Sequence, residues 1–148
     1  MLEPYKPVKK VLYIDDEVAL LDSFKSIFRK EDIEVFVLQY PEMINKALNS
    51  YGPFAVVISD ERMPNLQGHQ LLEIVKNYNH NTQRYLITGF SSLEDTIKAI
   101  NIGGIHRYIP KPWREDELKL AIKEGIDTFN INQEKEYLIE YLKEQNKI

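Results

Sequence analysis

Ala55-Val56-Val57-Ile58 is the stretch that most narrows what this chain can become. It has four apolar residues in succession, three of them β-branched, and so no polar face. Such a run reads as a strand covered on both sides. A strand of that kind needs helices above and below it, an arrangement found in parallel sheets. The run passes through Ser59 into Asp60 and then Glu61-Arg62-Met63-Pro64, where Pro64 helps to set a turn. A carboxylate at the end of a buried strand has two readings. It is either a polar residue where the chain surfaces, capping the next helix, or a group placed for chemistry. The ends of the other strands decide between them.

Taken in order, residues 1–8, with Pro4 and Pro7, read as an extended N-terminal tail. Lys10-Val11-Leu12-Tyr13-Ile14 is a first strand, running into Asp15-Asp16-Glu17. Asp16 or Glu17 can cap the helix that follows, whose Leu20, Leu21, Phe24, Ile27 and Phe28 make one apolar face. Glu34–Leu38 is a second strand, and Pro41 opens a helix that ends before Gly52-Pro53. After Asp60, Gly68 is placed in the loop, and Leu71, Leu72, Ile74 and Val75 mark a third helix. Arg84-Tyr85-Leu86-Ile87-Thr88 is a fourth strand. Leu93, Ile97 and Ile100 mark a fourth helix, stopped by Gly103-Gly104. His106-Arg107-Tyr108-Ile109 is a short fifth strand leading into Pro110-Lys111-Pro112-Trp113. A last helix starts near Glu115 and buries Leu118, Ala121, Ile122, Ile126 and Phe129.

Strand and helix thus alternate with short connections, which predicts a doubly wound parallel sheet built from right-handed crossovers. The chain's 148 residues suffice for one domain with a real core. In such folds ligands bind outside the carboxyl ends of the strands. Asp15, Asp16, Asp60, Thr88 and Lys111 all fall at those ends, so they can meet in one crevice. Three clustered carboxylates repel one another and call for a cation. Oxygen donors without Cys or His nearby favour a hard ion, Mg²⁺, which readily shares its coordination with a phosphate. Lys111 and Thr88 offer a fixed charge and a hydroxyl suited to phosphoryl oxygens. An ionised Asp can act as the nucleophile and become an aspartyl phosphate. A structural salt bridge from Lys111 to the acids accounts for one contact, but not for Thr88.

With these residues in place, the chain resembles the receiver domain of two-component response regulators over about residues 9–128. The resemblance implies a flavodoxin-like (βα)5 fold with strand order 2-1-3-4-5. It implies Asp60 as the phosphoacceptor, with Asp15, Asp16 and the backbone carbonyl of Arg62 holding Mg²⁺ beside it. It implies Thr88 and Lys111 as phosphoryl-binding groups, Tyr108 as the aromatic switch partner of Thr88, and a cis Lys111–Pro112 bond. The donor implied is a sensor histidine kinase or phosphotransfer protein. The response implied is a change on the face formed by the fourth helix, fifth strand and last helix, with homodimerisation there or through the C-terminal helix. A receiver catalyses its own phosphorylation and dephosphorylation and is no turnover enzyme. Gly89 stands where the family usually has Ala, and Arg62 and Phe90 occupy positions that vary among members. The Thr-Gly-Phe and Lys-Pro-Trp patterns look like those of receivers joined to ATPase-type transcription activators or nucleotide phosphodiesterases.

Two rivals share the topology. A phosphatase with an Asp nucleophile usually carries an acid two residues later, where this chain has Arg62. A flavin-binding electron carrier needs a phosphate loop after the first strand, where Asp15-Asp16-Glu17 would repel the ligand. The net charge of −4 does not suit general nucleic-acid binding. The absence of cysteine and of a long apolar run fits a cytoplasmic protein without a membrane span. His69, His80 and His106 have no metal-site spacing and read as surface or packing residues. Trp113 reads either as packing at the start of the last helix or as a mark of a partner surface. Residues 129–148 read as an extended helical tail or a linker to an output domain outside this chain. Ile131, Leu138 and Gln145 leave a weak seven-residue trace there.

Overall fold

The computed structural model describes residues 2–89 and 104–147. Five strands form one all-parallel sheet: β1 (Lys10–Ile14), β2 (Glu34–Leu38), β3 (Val56–Asp60), β4 (Gln83–Gly89) and β5 (Arg107–Lys111). Their order is β2-β1-β3-β4-β5, the doubly wound order expected. Four described helices flank it: α1 (Val18–Ile27), α2 (Ile44–Tyr51), α3 (Gly68–Tyr78) and α4 (Glu115–Gln145). A 3-10 turn, Pro41–Met43, leads into α2, with Pro41 at the position where its missing N–H costs nothing. The helix expected around Leu93, Ile97 and Ile100 lies outside the described residues, as does Phe90.

Successive side chains along a strand point to opposite faces, and the core divides accordingly. Val11, Tyr13, Val56, Ile58, Tyr85 and Ile87 pack with Phe24 of α1 and with Leu118, Ile122 and Phe129 of α4. Leu12, Ile14, Val57 and Leu86 pack with Ile44 and Leu48 of α2 and with Leu71, Leu72 and Val75 of α3. Fully burying each such side chain is worth about 1.5–3 kcal/mol. Every residue of β3 is buried, as its unbroken apolar run predicts. Trp113 packs edge-on against Tyr13 and Phe24, which makes it a packing residue.

Three local expectations are corrected. Glu17 is the N-cap of α1, but no side chain caps that helix. The Glu17 N–H instead donates to Asp15 Oδ1 at 2.9 Å, so the acid run serves the strand end. Gly68 is not in the loop but is the first residue of α3. A Cβ there would lie 2.3 Å from the Asp60 carbonyl oxygen, so only glycine lets the helix start this close to β3. The fifth strand begins at Arg107 and runs on through Pro110 and Lys111. Pro110 is tolerated because β5 is an edge strand with one partner, β4. Lys111–Pro112 is cis, as is Gly52–Pro53.

Helix α4 is 31 residues long and continues past the sheet. Asn130 on it accepts from the Val8 N–H at 2.8 Å and from the Tyr5 hydroxyl at 2.6 Å through Oδ1, and donates to the Val8 carbonyl at 2.8 Å. Further along, Asn81 Nδ2 donates to Gln133 Oε1 at 3.0 Å and His80 Nε2 meets Glu136 Oε1 at 2.6 Å. The Tyr137 hydroxyl donates to the Glu3 carbonyl. Residues 3–8 carry no strand, yet they lie along α4 at both ends. No described helix is long and apolar enough to cross a membrane.

Candidate functional site

The carboxyl ends of β1, β3, β4 and β5 lie side by side because the sheet is parallel and in register, with Asp60 opposite Ile87 and Thr88 opposite Pro110. Asp15 follows β1 directly, Asp60 closes β3, Thr88 lies near the end of β4, and Lys111 ends β5. Asp15, Asp16 and Asp60 each offer a carboxylate oxygen within 4.8 Å of the others. Asp15 and Asp60 are buried, whereas Asp16 is the more open. Lys111 Nζ donates to Asp60 Oδ1 at 3.0 Å and lies 3.3 Å from Asp15 Oδ2. The Tyr13 hydroxyl donates to Asp15 Oδ2 at 2.5 Å. Thr88 is buried. Arg62 is exposed in the loop between β3 and α3, and Tyr108 is half-buried against the α2–α3 side of the core.

The electrostatics follow from this arrangement. Burial pushes the Asp60 carboxyl up to about 6, the Lys111 hydrogen bond pulls against that shift, and the charges of Asp15 and Asp16 add to it. Burial pulls the Lys111 ammonium down, but its bonds and charge contacts with Asp60 and Asp15 outweigh that and leave it raised. Among the described residues Lys111 is the ammonium in contact with this group, meeting Asp60 and Asp15, so three clustered carboxylates stand against one positive charge there. The donors are all oxygens, and a small hard divalent ion that keeps some of its own water fits that set. Asp15, Asp16 and Asp60 are the side chains that could hold it.

Two features near this pocket are not legible in the sequence pattern. Tyr13 reads as a core residue, and only the structure shows its hydroxyl reaching Asp15 two positions on. Glu61 and His69 are the second. Glu61 is buried, and its carboxylate accepts the His69 N–H at 2.9 Å and meets His69 Nδ1 at 2.8 Å. His69 is therefore held in a hydrogen-bonded contact with the Glu61 carboxylate, beyond a plain surface or packing role. The pair spans a loop whose closure no short motif announces.

Fold and pocket together define a doubly wound α/β protein with an acidic, lysine-closed crevice at its strand ends. The chain belongs to the response regulator receiver domain family, whose model matches residues 11–123. It is 32% identical over 126 residues to the hydrogenase transcriptional regulatory protein HoxA of Bradyrhizobium diazoefficiens, covering 85% of this chain and 26% of that protein. It is 29% identical to the DNA-binding transcriptional regulator NtrC of Proteus hauseri, covering 78% of this chain and 24% of that one. The chain thus spans about a quarter of the length of these relatives. Among solved structures it is similar to a CheY-like response regulator receiver domain protein from Methanospirillum hungatei. That match has 30% identity and a TM-score of 0.73, covering 84% of this chain and 98% of that one.

Proposed function

We propose that this chain is a phosphorylation-dependent signalling switch that takes a phosphoryl group onto Asp60. The single observation that carries the reading is the placement of Asp60. It is a buried carboxylate at the end of the central strand, 3.0 Å from Lys111 Nζ and grouped with Asp15 and Asp16. A carboxylate oxygen of Asp60 attacks the phosphorus of a phosphohistidine on a sensor kinase or phosphotransfer protein. The new O–P bond forms as the P–N bond breaks, and the histidine leaves with the electron pair and takes up a proton. Asp15, Asp16 and Asp60, with the Arg62 carbonyl, would hold a Mg²⁺ ion, which when bound would supply positive charge to the transferring phosphoryl group. Lys111 and the Thr88 hydroxyl take the other phosphoryl oxygens. Movement of Thr88 toward them lets Tyr108 turn inward, and the face beside β5 changes its preference for partners or for a second copy.

Membership of the receiver family supports a switch over a turnover enzyme, and the relatives named as transcriptional regulators support a partner or domain that acts on transcription. The exposed Arg62, two residues after Asp60, offers no acid to protonate a leaving group, which disfavours the phosphatase alternative. A cytoplasmic location goes with a kinase partner there. The test is intact mass after incubation with acetyl phosphate and MgCl₂. One added phosphoryl group is expected, lost in Asp60→Asn and blocked by chelator. A gain in Asp60→Asn equal to that of the parent chain overturns the site.

A further inference from the structure

Between Asp60 and α3 runs the loop 61–67, which carries the Arg62 carbonyl. Three contacts close it into a ring at its two ends. The Glu61 N–H donates to the Ile87 carbonyl at 3.0 Å, anchoring the loop's start on β4. The Gly68 N–H donates to the Glu61 carbonyl at 3.0 Å, drawing the start of α3 onto it. The Glu61 side chain then grips His69 twice, at the backbone N–H and at Nδ1. Inside this ring Met63 is buried and Asn65 takes a left-handed φ of 72°. The closure is tight, since a Cβ on Gly68 would also come within 2.9 Å of Glu61 Cα.

We propose that Glu61 is a positioning residue for the divalent cation. Its carboxylate, clasped on His69, holds the Arg62 carbonyl where Asp15, Asp16 and Asp60 converge. The inference rests on the cation site proposed above and adds to it a residue that does not touch the ion. The chemistry is plain. A backbone carbonyl on a free loop must lose conformational freedom to become a ligand, so affinity falls unless something else has already fixed the loop. Glu61 fixes it from behind. It accepts an N–H in the first turn of α3, where a carboxylate is favoured by the unpaired amides of the helix start. It also faces the imidazole, whose contact at Nδ1 ties the side chain of His69 to the same carboxylate. His69→Ala leaves the backbone N–H contact in place and removes only the ring, so its effect should be the smaller.

Groups that hold metal ligands in place typically change affinity 10–100-fold when lost. The experiment is calorimetric titration of the full chain with MgCl₂, on the parent chain, Asp15→Asn, Glu61→Ala, Glu61→Gln, His69→Ala and Asn130→Ala. Glu61→Ala should bind Mg²⁺ about tenfold more weakly. Glu61→Gln keeps a carbonyl oxygen for the His69 N–H and should recover most of that loss, with His69→Ala between the two. Asn130→Ala breaks contacts at the far end of the chain's fold and should bind as the parent does, even where its unfolding midpoint drops as far. Amide exchange at residues 62–67 should quicken in Glu61→Ala and not in Asn130→Ala. Parental affinity in Glu61→Ala beside a weakened Asp15→Asn overturns the latch alone. Parental affinity in Asp15→Asn overturns the cation site and the latch with it. If Glu61→Ala does not fold, Glu61→Gln and His69→Ala decide: equal and parental affinity in His69→Ala, with unchanged exchange at 62–67, rejects the proposal.

Discussion

The Tyr13 hydroxyl donates to Asp15 Oδ2 at 2.5 Å, from a side chain wholly inside the core. Burial and this bond both push the tyrosine hydroxyl well above its ordinary range, so it stays a donor. The remaining Asp15 oxygen takes the Glu17 N–H, and Lys111 approaches from the front. Asp15 is thus a buried carboxylate held from three directions, two of them neutral donors. Hydrogen bonds to charged groups are worth about 1.5–3 kcal/mol. Tyr13→Phe keeps the ring against Phe24 and Trp113 and removes only the donor. It should lower unfolding stability by about that amount at neutral pH, read by urea titration. A loss near zero would mean that water replaces the hydroxyl.

Asp60 carries the opposite sign. Its folded carboxyl titrates at about 6, above its ordinary value of 3.8. The folded state therefore holds the proton more tightly than the unfolded chain does. Stability from this group is fully present below pH 3.8 and is lost as pH rises through 6. About two pKa units correspond to roughly 3 kcal/mol. In chelator, Asp60→Asn should be more stable than the parent near pH 7, and its advantage should shrink toward pH 4. Urea midpoints of the two proteins across that range check it. An advantage that stays constant with pH would place the cause outside the titration.

The parallel sheet, the helix faces and the residues at the strand ends could be read because each rests on a local pattern, whereas the strand order came only with the family resemblance. Val56-Val57-Ile58 has no polar face, and Leu20, Leu21 and Phe24 repeat at helical spacing. The convergence of Asp15, Asp60 and Lys111 then follows from parallel topology alone. What escaped depends on depth and on loop closure. Tyr13 looks like any strand aromatic until its hydroxyl is placed. Glu61 and His69 meet only because Gly68 lets α3 begin against β3, a contact between backbones that no side-chain pattern reports. The extra residues of β5 were hidden by Pro110, which argues against a strand unless the strand lies on an edge.

Arg62 bears on the lifetime of the proposed phosphoform. It is exposed and has donors but no acceptor, so it cannot orient a water as a base. Phe90, two residues after Thr88, lies outside the described residues and offers no hydrogen bond either. Receivers with an acid or amide at these places can hold a water in line with the acyl phosphate. Hydrolysis here should be slow, and Phe90→Glu or Arg62→Asn should speed it by about tenfold, the scale of positioning effects. Loss of phosphate from the three proteins, followed by intact mass, tests this. Equal rates would remove both side chains from the explanation.

Asn130 binds the Val8 backbone on both sides and takes the Tyr5 hydroxyl, much as a neighbouring strand would. Three contacts to the N-terminal segment converge on one amide, which also donates to the Ile126 carbonyl of its own helix at 2.9 Å, and each such bond is worth about 0.5–1.5 kcal/mol. Asn130→Ala should cost about 1–3 kcal/mol and should raise amide exchange at Val8 without changing exchange in β3. Exchange mass spectrometry reads both. If Val8 stays as protected as before, the N-terminal segment is held by something other than Asn130.

The far end of α4 presents Ile131, Leu138, Ile139 and Leu142, exposed by 68%, 43%, 42% and 58%. Ile131 and Leu138 stand seven residues apart, the repeat of paired helices. A second candidate contact for another copy is Arg107, the first residue of β5, set against Asp116 and against Glu94 and Asp95, which lie outside the described residues. Arg107 is already engaged, pairing with Glu124 at 2.6 Å. A cross-pair must first break that bond, and exposed ion pairs are worth only about 0–1 kcal/mol. An apolar side chain fully covered by a partner contributes about 1.5–3 kcal/mol. The helix should therefore dominate association. Sedimentation with beryllofluoride and Mg²⁺ should show a dimer of the parent chain and a monomer of Leu138→Glu, while Arg107→Ala stays a dimer. A monomer in Arg107→Ala and a dimer in Leu138→Glu would move the interface from α4 to the face beside β5.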